Sequence, residues 1–333
     1  MNFSKHWAAN LDDYVIDLAW SPDGSLLAAA SAAGGVTLYD AATGTLKHQL
    51  AGHPDGANVL AWRPDGSLLA TGGQDGFVRV WEPATGQPAA GVKLGPAWVE
   101  HLAWRPDGGL LFAAAGKKLF ALRPDGSTAH AIPDAPKTIS ALAGRPDGGA
   151  IASACFGQVV VRDAATFATQ NELPYGNAIL ALTWSPDGRW LVAGCHDNAV
   201  HLWIPAEDIE LQMSGYETKL KELSFSSDSR WLATGGGRDA CIWDCAGAGP
   251  EGRDPMLLPH KTRVCAVAFQ NRHGLLASAA ADGEFCLWSP TRKNPLVAEV
   301  RMPATATKFA WRADDSLLAV GTDQGALYVF KFA

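Results

Sequence analysis

At 333 residues, with 27 basic and 34 acidic side chains, a formal net charge of −7 and 47% hydrophobic residues, the chain reads as a globular core-former, too long for a disulfide-stapled miniprotein. The acidic balance argues against non-specific nucleic-acid binding, which needs a basic surface, and no run approaches the roughly 18 consecutive apolar residues of a membrane span. The first ten residues, MNFSKHWAAN, show no apolar secretory segment, so the six cysteines are expected to be reduced in a cytoplasmic protein.

Residues 2–7 stand alone, before the first complete set of strands. From there Gly and Pro recur in one turn. SPDG follows Trp20 and Trp184, and RPDG follows Trp62, Trp104 and Gly144. Looser forms follow Phe225, Phe269 and Trp311. These anchors (20, 62, 104, 144, 184, 225, 269 and 311) are spaced by 40 to 44 residues. A period this regular predicts one repeated unit and a single domain over residues 1–333. Unit 2 shows the pattern. An apolar run at 59–62 meets the Pro-Gly turn, followed by a strand at 68–71, a tight turn at 72–76 and a strand at 77–81. Residues 83–86 turn again, and 90–94 form an outer strand. No segment sustains a helical period between these turns. The last unit stops at its third strand, 326–330.

The units resemble Trp-Asp (WD) repeats, the four-stranded blades of a β-propeller. The resemblance rests on the SPDG/RPDG turns, the apolar-Asp-Gly turns and a Trp closing the third strand, and it spans essentially the whole chain. Only Trp243-Asp244 is a literal Trp-Asp pair; Tyr39-Asp40, Trp81-Glu82, Trp203-Ile204 and Trp288-Ser289 stand in elsewhere. Only Gly52-His53 keeps the family's Gly-His, with His260 and Tyr216 in similar places. The implied fold is all-β: an eight-bladed β-propeller of four-stranded blades, closed by the N-terminal strand completing the last blade. That latch leaves no inner sheet edge open. The family's buried network of His, Ser/Thr, turn Asp and Trp maps onto His53, Thr71, Asp75 and Trp81 in unit 2. In unit 7 it maps onto His260, Ser278, Asp282 and Trp288. Unit 6 keeps Thr234, Asp239 and Trp243, and unit 5 keeps Asp197 and Trp203. Because the His–Asp pair recurs with the repeat, it is read as structural.

No nucleophile, phosphate-loop or zinc-protease motif occurs in the sequence, so no catalysis and no cofactor are expected. The weak metal candidates are Cys155 and Cys195, equivalent positions in adjacent blades, with His196 beside the second. Both thiols are expected to be small buried fillers instead. An enzyme or metal-handling protein using the central channel, which His101 should line, is the alternative class. In the resembling family, the loops before strand one and between strands two and three form the partner face. Here they carry Trp98, Phe156, Tyr175 and Tyr216, residues of the kind that make interface hot spots. Lys219, Lys221, Arg238, Lys261, Arg263 and Lys308 form a basic arc facing Asp12, Asp13 and Asp17 across the ring closure. The expected partner is another protein or peptide, with an acidic segment suited to the arc. The chain itself is expected to be monomeric, and its Ala-rich, clean repeats suggest a bacterial source.

Overall fold

The computed structural model describes residues 3–332, as eight separate four-stranded sheets. Asn2 of the expected latch lies outside the described residues. In blade 2 the strands Ala57–Trp62, Leu69–Gly73, Phe77–Glu82 and Gln87–Lys93 pair antiparallel in chain order. The outer strand thus begins three residues earlier than the sequence pattern indicated. The turn between the first two strands closes when Gly66 donates its N–H to Arg63 O at 2.9 Å with φ +74°. An L side chain adopts that conformation only under strain, which is why Gly recurs there.

Second strands are buried on both faces, because each blade is sandwiched between two others. Leu69–Gly73 and Leu276–Ala280 are buried at every residue. Their alternation is therefore erased, and small residues are needed where neighbouring blades approach near the axis. Ala29, Ala70, Ala113, Ala152, Ala193 and Ala277 fill these places with 0% exposure. The alanine content serves inter-blade packing, not helix formation.

The Trp anchors have a second role. Trp20 donates its indole N–H to Ala310 O at 2.8 Å, Trp62 to Ala19 O at 3.0 Å and Trp104 to Ala61 O at 3.0 Å. Trp184 donates to Ala143 O at 3.2 Å, and Trp311 to Ala268 O at 3.0 Å. Each bond reaches the first strand of the preceding blade, so the anchors staple the ring circumferentially. Where the anchor is Phe269, its backbone N–H donates to Ser224 Oγ at 2.9 Å instead.

The N-terminal strand Phe3–Asn10 pairs antiparallel with Ala326–Phe332, from Phe3 opposite Phe332 to Asn10 opposite Ala326. It completes the blade of Ala306–Trp311 and Leu317–Thr322. This is the latch read from the sequence, extended to Asn10. Eight blades close the ring.

Candidate binding face and central channel

The first strands line the channel, and register fixes which residue of each faces inward. The position three residues before every anchor is equivalent in all eight sheets, since the following residue pairs in the same way with each second strand. Blades 2, 4, 5 and 7 place Val59, Ala141, Ala181 and Ala266 there; blade 3 places His101. Blades 1, 6 and 8 place charges: Asp17, Glu222 and Lys308.

Asp17 and Lys308 meet across the ring closure at 3.0 Å. Asp17 Oδ2 also accepts the Leu60 N–H at 2.9 Å, so one carboxylate ties blades 8, 1 and 2. The Asp17 charge holds the Lys308 ammonium above its ordinary pKa. The basic arc and the acidic group therefore do meet, but this pairing uses Lys308 and removes it from the cations free for a partner. His101 is pushed down to about 4 by burial, so it lines the channel as a neutral imidazole.

Glu222 has no such partner. It is 7% exposed, and its Oε1 has no hydrogen-bond partner. Its Oε2 accepts only the Lys221 N–H, at 3.3 Å. Burial raises its pKa against the pull of Lys221 and Arg263. Glu222 is one of the residues lining an 840 Å³ cavity at the channel mouth, together with Lys221, Arg263, Thr305, Lys308 and Asp323.

On the surrounding face, Trp98 is 51% and Phe156 54% exposed. Lys219, Lys221, Arg238 and Arg263 are exposed and make no ion pair among the described residues. Lys261 is exposed but reaches Glu284 Oε1 at 3.3 Å. The two tyrosines turn inward instead. Tyr175 donates its hydroxyl to Asp197 at 2.6–2.7 Å and packs at a tilt against His201, ring centroids 4.2 Å apart. Tyr216 accepts the Trp243 indole N–H at 2.7 Å and lies 3.0 Å from Thr234 Oγ1. Both phenols occupy the place that His53 fills in blade 2, so they complete blades 5 and 6 and do not present aromatic surface to a partner.

In blade 2 the expected network is complete. Trp81 Nε1 donates to Thr71 Oγ1 at 3.1 Å, His53 Nε2 lies 2.8 Å from that hydroxyl, and His53 Nδ1 lies 2.9 Å from Asp75 Oδ1. Arg79 closes it at 2.7 Å from Asp75 Oδ2. Blade 7 departs from expectation. Trp288 donates to Ser278 at 2.7 Å and His260 Nε2 lies 2.8 Å from the same oxygen, but His260 Nδ1 pairs with Glu284 Oε2 at 2.8 Å. Asp282 instead accepts from Thr262 Oγ1 at 3.1 Å and pairs with Arg301 at 3.3 Å. The cause is local: Cys286 stands at Arg79's place, so no guanidinium draws the turn Asp inward. The longer Glu at the third strand's start reaches the imidazole.

Sequence and structure comparison joins these blades to known repeats. The model of the WD domain, G-beta repeat, matches residues 44–82, 170–203, 210–244 and 255–289, and that of the Anaphase-promoting complex subunit 4 WD40 domain matches residues 1–59. The chain is a WD-repeat β-propeller. Each G-beta match begins within about two residues of the start of one blade's outer strand and ends within about one residue of the end of the next blade's third strand, so every repeat is shared between neighbours. The matched blades 2, 5, 6 and 7 are those whose third strands carry Trp81, Trp203, Trp243 and Trp288.

Among relatives, the WD-repeat propeller is 26% identical over 40% of its length to the WD repeat-containing protein srw1 of Schizosaccharomyces pombe. It is 24% identical over 42% to the B-type cell cycle switch protein ccs52A of Medicago truncatula. The matched parts are 24% and 29% of those proteins, so the chain spans under a third of the relatives' length. Both organisms are eukaryotes, and nothing in these matches supports the expected bacterial source. A crystal structure of the computationally designed Ika8 protein superposes with a TM-score of 0.83 at 20% identity, covering 97% of this chain and 98% of that one. That likeness is one of fold.

Among the described residues, Cys155, Cys195 and His196 do not come together as a cluster of metal-ligand atoms. Cys155 and Cys195 are buried, with their Sγ atoms directed to Phe156 O at 3.6 Å and Ala193 O at 3.7 Å, while His196 is exposed. Burial pushes the Cys195 thiol up to about 11. Among the described residues, a different trio, His260, Glu284 and Cys286, brings ligand-type atoms within 4.8 Å. Both His260 nitrogens there already have partners, and burial pushes the Cys286 thiol up to about 12. Sequence reasoning passed over Glu222 and Glu284. The available signal for Glu222 was a charged residue three places before an anchor, where most units carry a small or apolar one.

Proposed function

We propose that this WD-repeat propeller is a non-catalytic interaction scaffold: a cytoplasmic monomer that binds a protein or peptide on the face of the loops before the first strands and between the second and third. One observation carries the reading. That face gathers the exposed aromatics Trp98 and Phe156 with four cations that have no ion-pair partner among the described residues, Lys219, Lys221, Arg238 and Arg263. Exposed aromatic side chains and Arg supply binding energy where they become desolvated. Unpaired cations on an acidic protein steer an acidic partner toward them. The relatives named as cell-cycle switch proteins are consistent with a scaffold role.

The test is a salt-titrated co-purification from native extract, comparing wild type with Lys219→Glu/Arg263→Glu and with Trp98→Ala/Phe156→Ala. Both variants should melt within about a degree or two of wild type, since exposed charges contribute little to stability. The charge variant should lose partner capture most at low salt, where screening is weakest. The aromatic variant should lose it at all salt concentrations. Undiminished capture by both would remove this face from the scaffold's function.

A further inference from the structure

We propose that the channel mouth between blades 6 and 8 takes a basic side chain of a peptide, an ammonium or guanidinium that docks on Glu222, with an acidic neighbour in the peptide held by Lys221 and Arg263. Given the partner face proposed above, this names the chemistry that the centre of that face recognises.

The propeller contains its own precedent. Asp17 and Glu222 occupy equivalent ring positions, three residues before their anchors. Blade 8, which precedes blade 1 around the ring, offers Lys308, and its ammonium sits 3.0 Å from Asp17. Blade 5, which precedes blade 6, offers Ala181 at that position. Asp17 is further satisfied by Leu60 N–H at 2.9 Å and Leu18 N–H at 3.0 Å. Glu222 receives only the longer bond from Lys221 N–H, and its Oε1 receives none. A buried carboxylate oxygen without a donor costs free energy that a bound donor returns.

The surroundings fit an entering side chain. The cavity of 840 Å³ lies within the roughly 300–1,000 Å³ of ligand pockets. The Glu222 side chain is seated against Gly235, where an added Cβ would lie 3.0 Å from Glu222 Cβ and 3.1 Å from Oε2. Lys221 and Arg263 line the same opening and carry no ion pair among the described residues. A lone cation would meet their repulsion. A basic residue flanked by acidic ones offers Glu222, Lys221 and Arg263 each an opposite charge; of the cavity's two other charged residues, Lys308 is already paired with Asp17, and Asp323 adds a second acceptor for the basic group.

The probes are fluorescein-labelled peptides of sequence Gly-Glu-Lys-Glu-Gly, Gly-Glu-Gln-Glu-Gly and Gly-Gln-Lys-Gln-Gly, titrated by polarisation against the full chain. Saturable binding is expected for the first, weakened at least about tenfold in each of the others, the size of one charge-assisted hydrogen bond. Glu222→Gln should abolish the advantage of Lys over Gln. Ala181→Lys supplies from blade 5 the cation that Lys308 supplies from blade 8. It should raise the melting temperature while blocking the first peptide. Equal binding of the Lys and Gln peptides, unchanged affinity in Glu222→Gln, or no saturable binding of any peptide overturns the proposal. The peptide titration reads the channel alone. If the loop face binds the partner without the channel, capture still fails with Lys219→Glu/Arg263→Glu while the peptides stay unbound, so the two failures are distinguishable.

Discussion

His101 shows how a single channel residue sets a property of the whole protein. Burial pushes its pKa down to about 4 from the ordinary 6.5, with Lys308 adding to the effect. The unfolded chain therefore binds a proton between about 6.5 and 4 that the folded chain refuses, and stability rises with pH across that window. His53, lowered mainly by its burial in blade 2, acts in the same direction. Glu222 opposes them: its raised pKa means that the folded state holds its proton longer, which costs stability as pH rises above the ordinary 4.5. The melting temperature should hence fall as pH is lowered from 7 to 5. His101→Gln should lose measurably less over that interval than wild type, as read by calorimetry at both pH values. An identical fall in the two proteins would place His101 in water and not in the packed channel. The turn aspartates do not confuse the result, because Asp65, Asp107 and Asp314 are held below the usual carboxylate range by Ser67, Arg105 and Arg312, and titrate under this window.

At the scale of the blade, stability should concentrate in the Trp-centred networks. Trp81 is 2% exposed and bonded to Thr71 at 3.1 Å, whereas Trp98 is 51% exposed. Trp81→Ala should cost about 3–5 kcal/mol in chemical denaturation, and Trp98→Ala well under about 1 kcal/mol, the scale of surface changes. Comparable losses would reverse the assignment of core and face. The blade period, its turns and Trp81 were legible in the sequence because their causes are local: a Pro and a Gly at φ between +69° and +76° recur in the turns of blades 1 to 5, and Ser229 and Asp315 take the same left-handed place in blades 6 and 8. The completion of each network was not legible. Glu284 replaces Asp282 because Cys286 is no guanidinium, and Tyr175 and Tyr216 replace a histidine. Side-chain reach and facing decide both outcomes, and neither is written in spacing. The Trp20 and Trp62 staples were hidden for another reason. Their acceptors are backbone carbonyls of another blade, which have no side-chain signature. At the channel the charged positions lay in plain sight at a fixed offset from the anchors. That Asp17 is paired and Glu222 is not depends on which blade precedes each around the ring.

Across the whole molecule, seven blades are built from consecutive strands and one from the two ends of the described chain. Closure therefore rests on contacts far apart in sequence, and the N-terminal strand makes them in three blades. Phe3 stacks 4.7 Å from Phe330 in blade 8 and 5.5 Å from Phe285 in blade 7. Trp7, 8% exposed, donates its indole N–H to Ala41 O of blade 1 at 2.9 Å. Leu11 N–H donates to Gly325 O at 2.8 Å. Removing residues 1–10 would strip the third strand Ala326–Phe332 of its ladder and bare Phe330 together with Val329, leaving an apolar sheet edge of the kind that recruits other chains. The melting temperature should fall by several degrees, and light scattering should show material heavier than the 35.1 kDa chain. Trp7→Ala separates the two effects. It keeps the strand's backbone pairing but vacates the space between blades 8 and 1, so it should lower the melt by the cost of a truncated core aromatic, about 3–5 kcal/mol, without the aggregation that an open edge brings. If the truncated chain melts as the full one does and stays monomeric, the ring closes through the Trp20 and Trp311 staples and the Asp17–Lys308 pair alone, and the N-terminal strand is a passenger on a ring already shut.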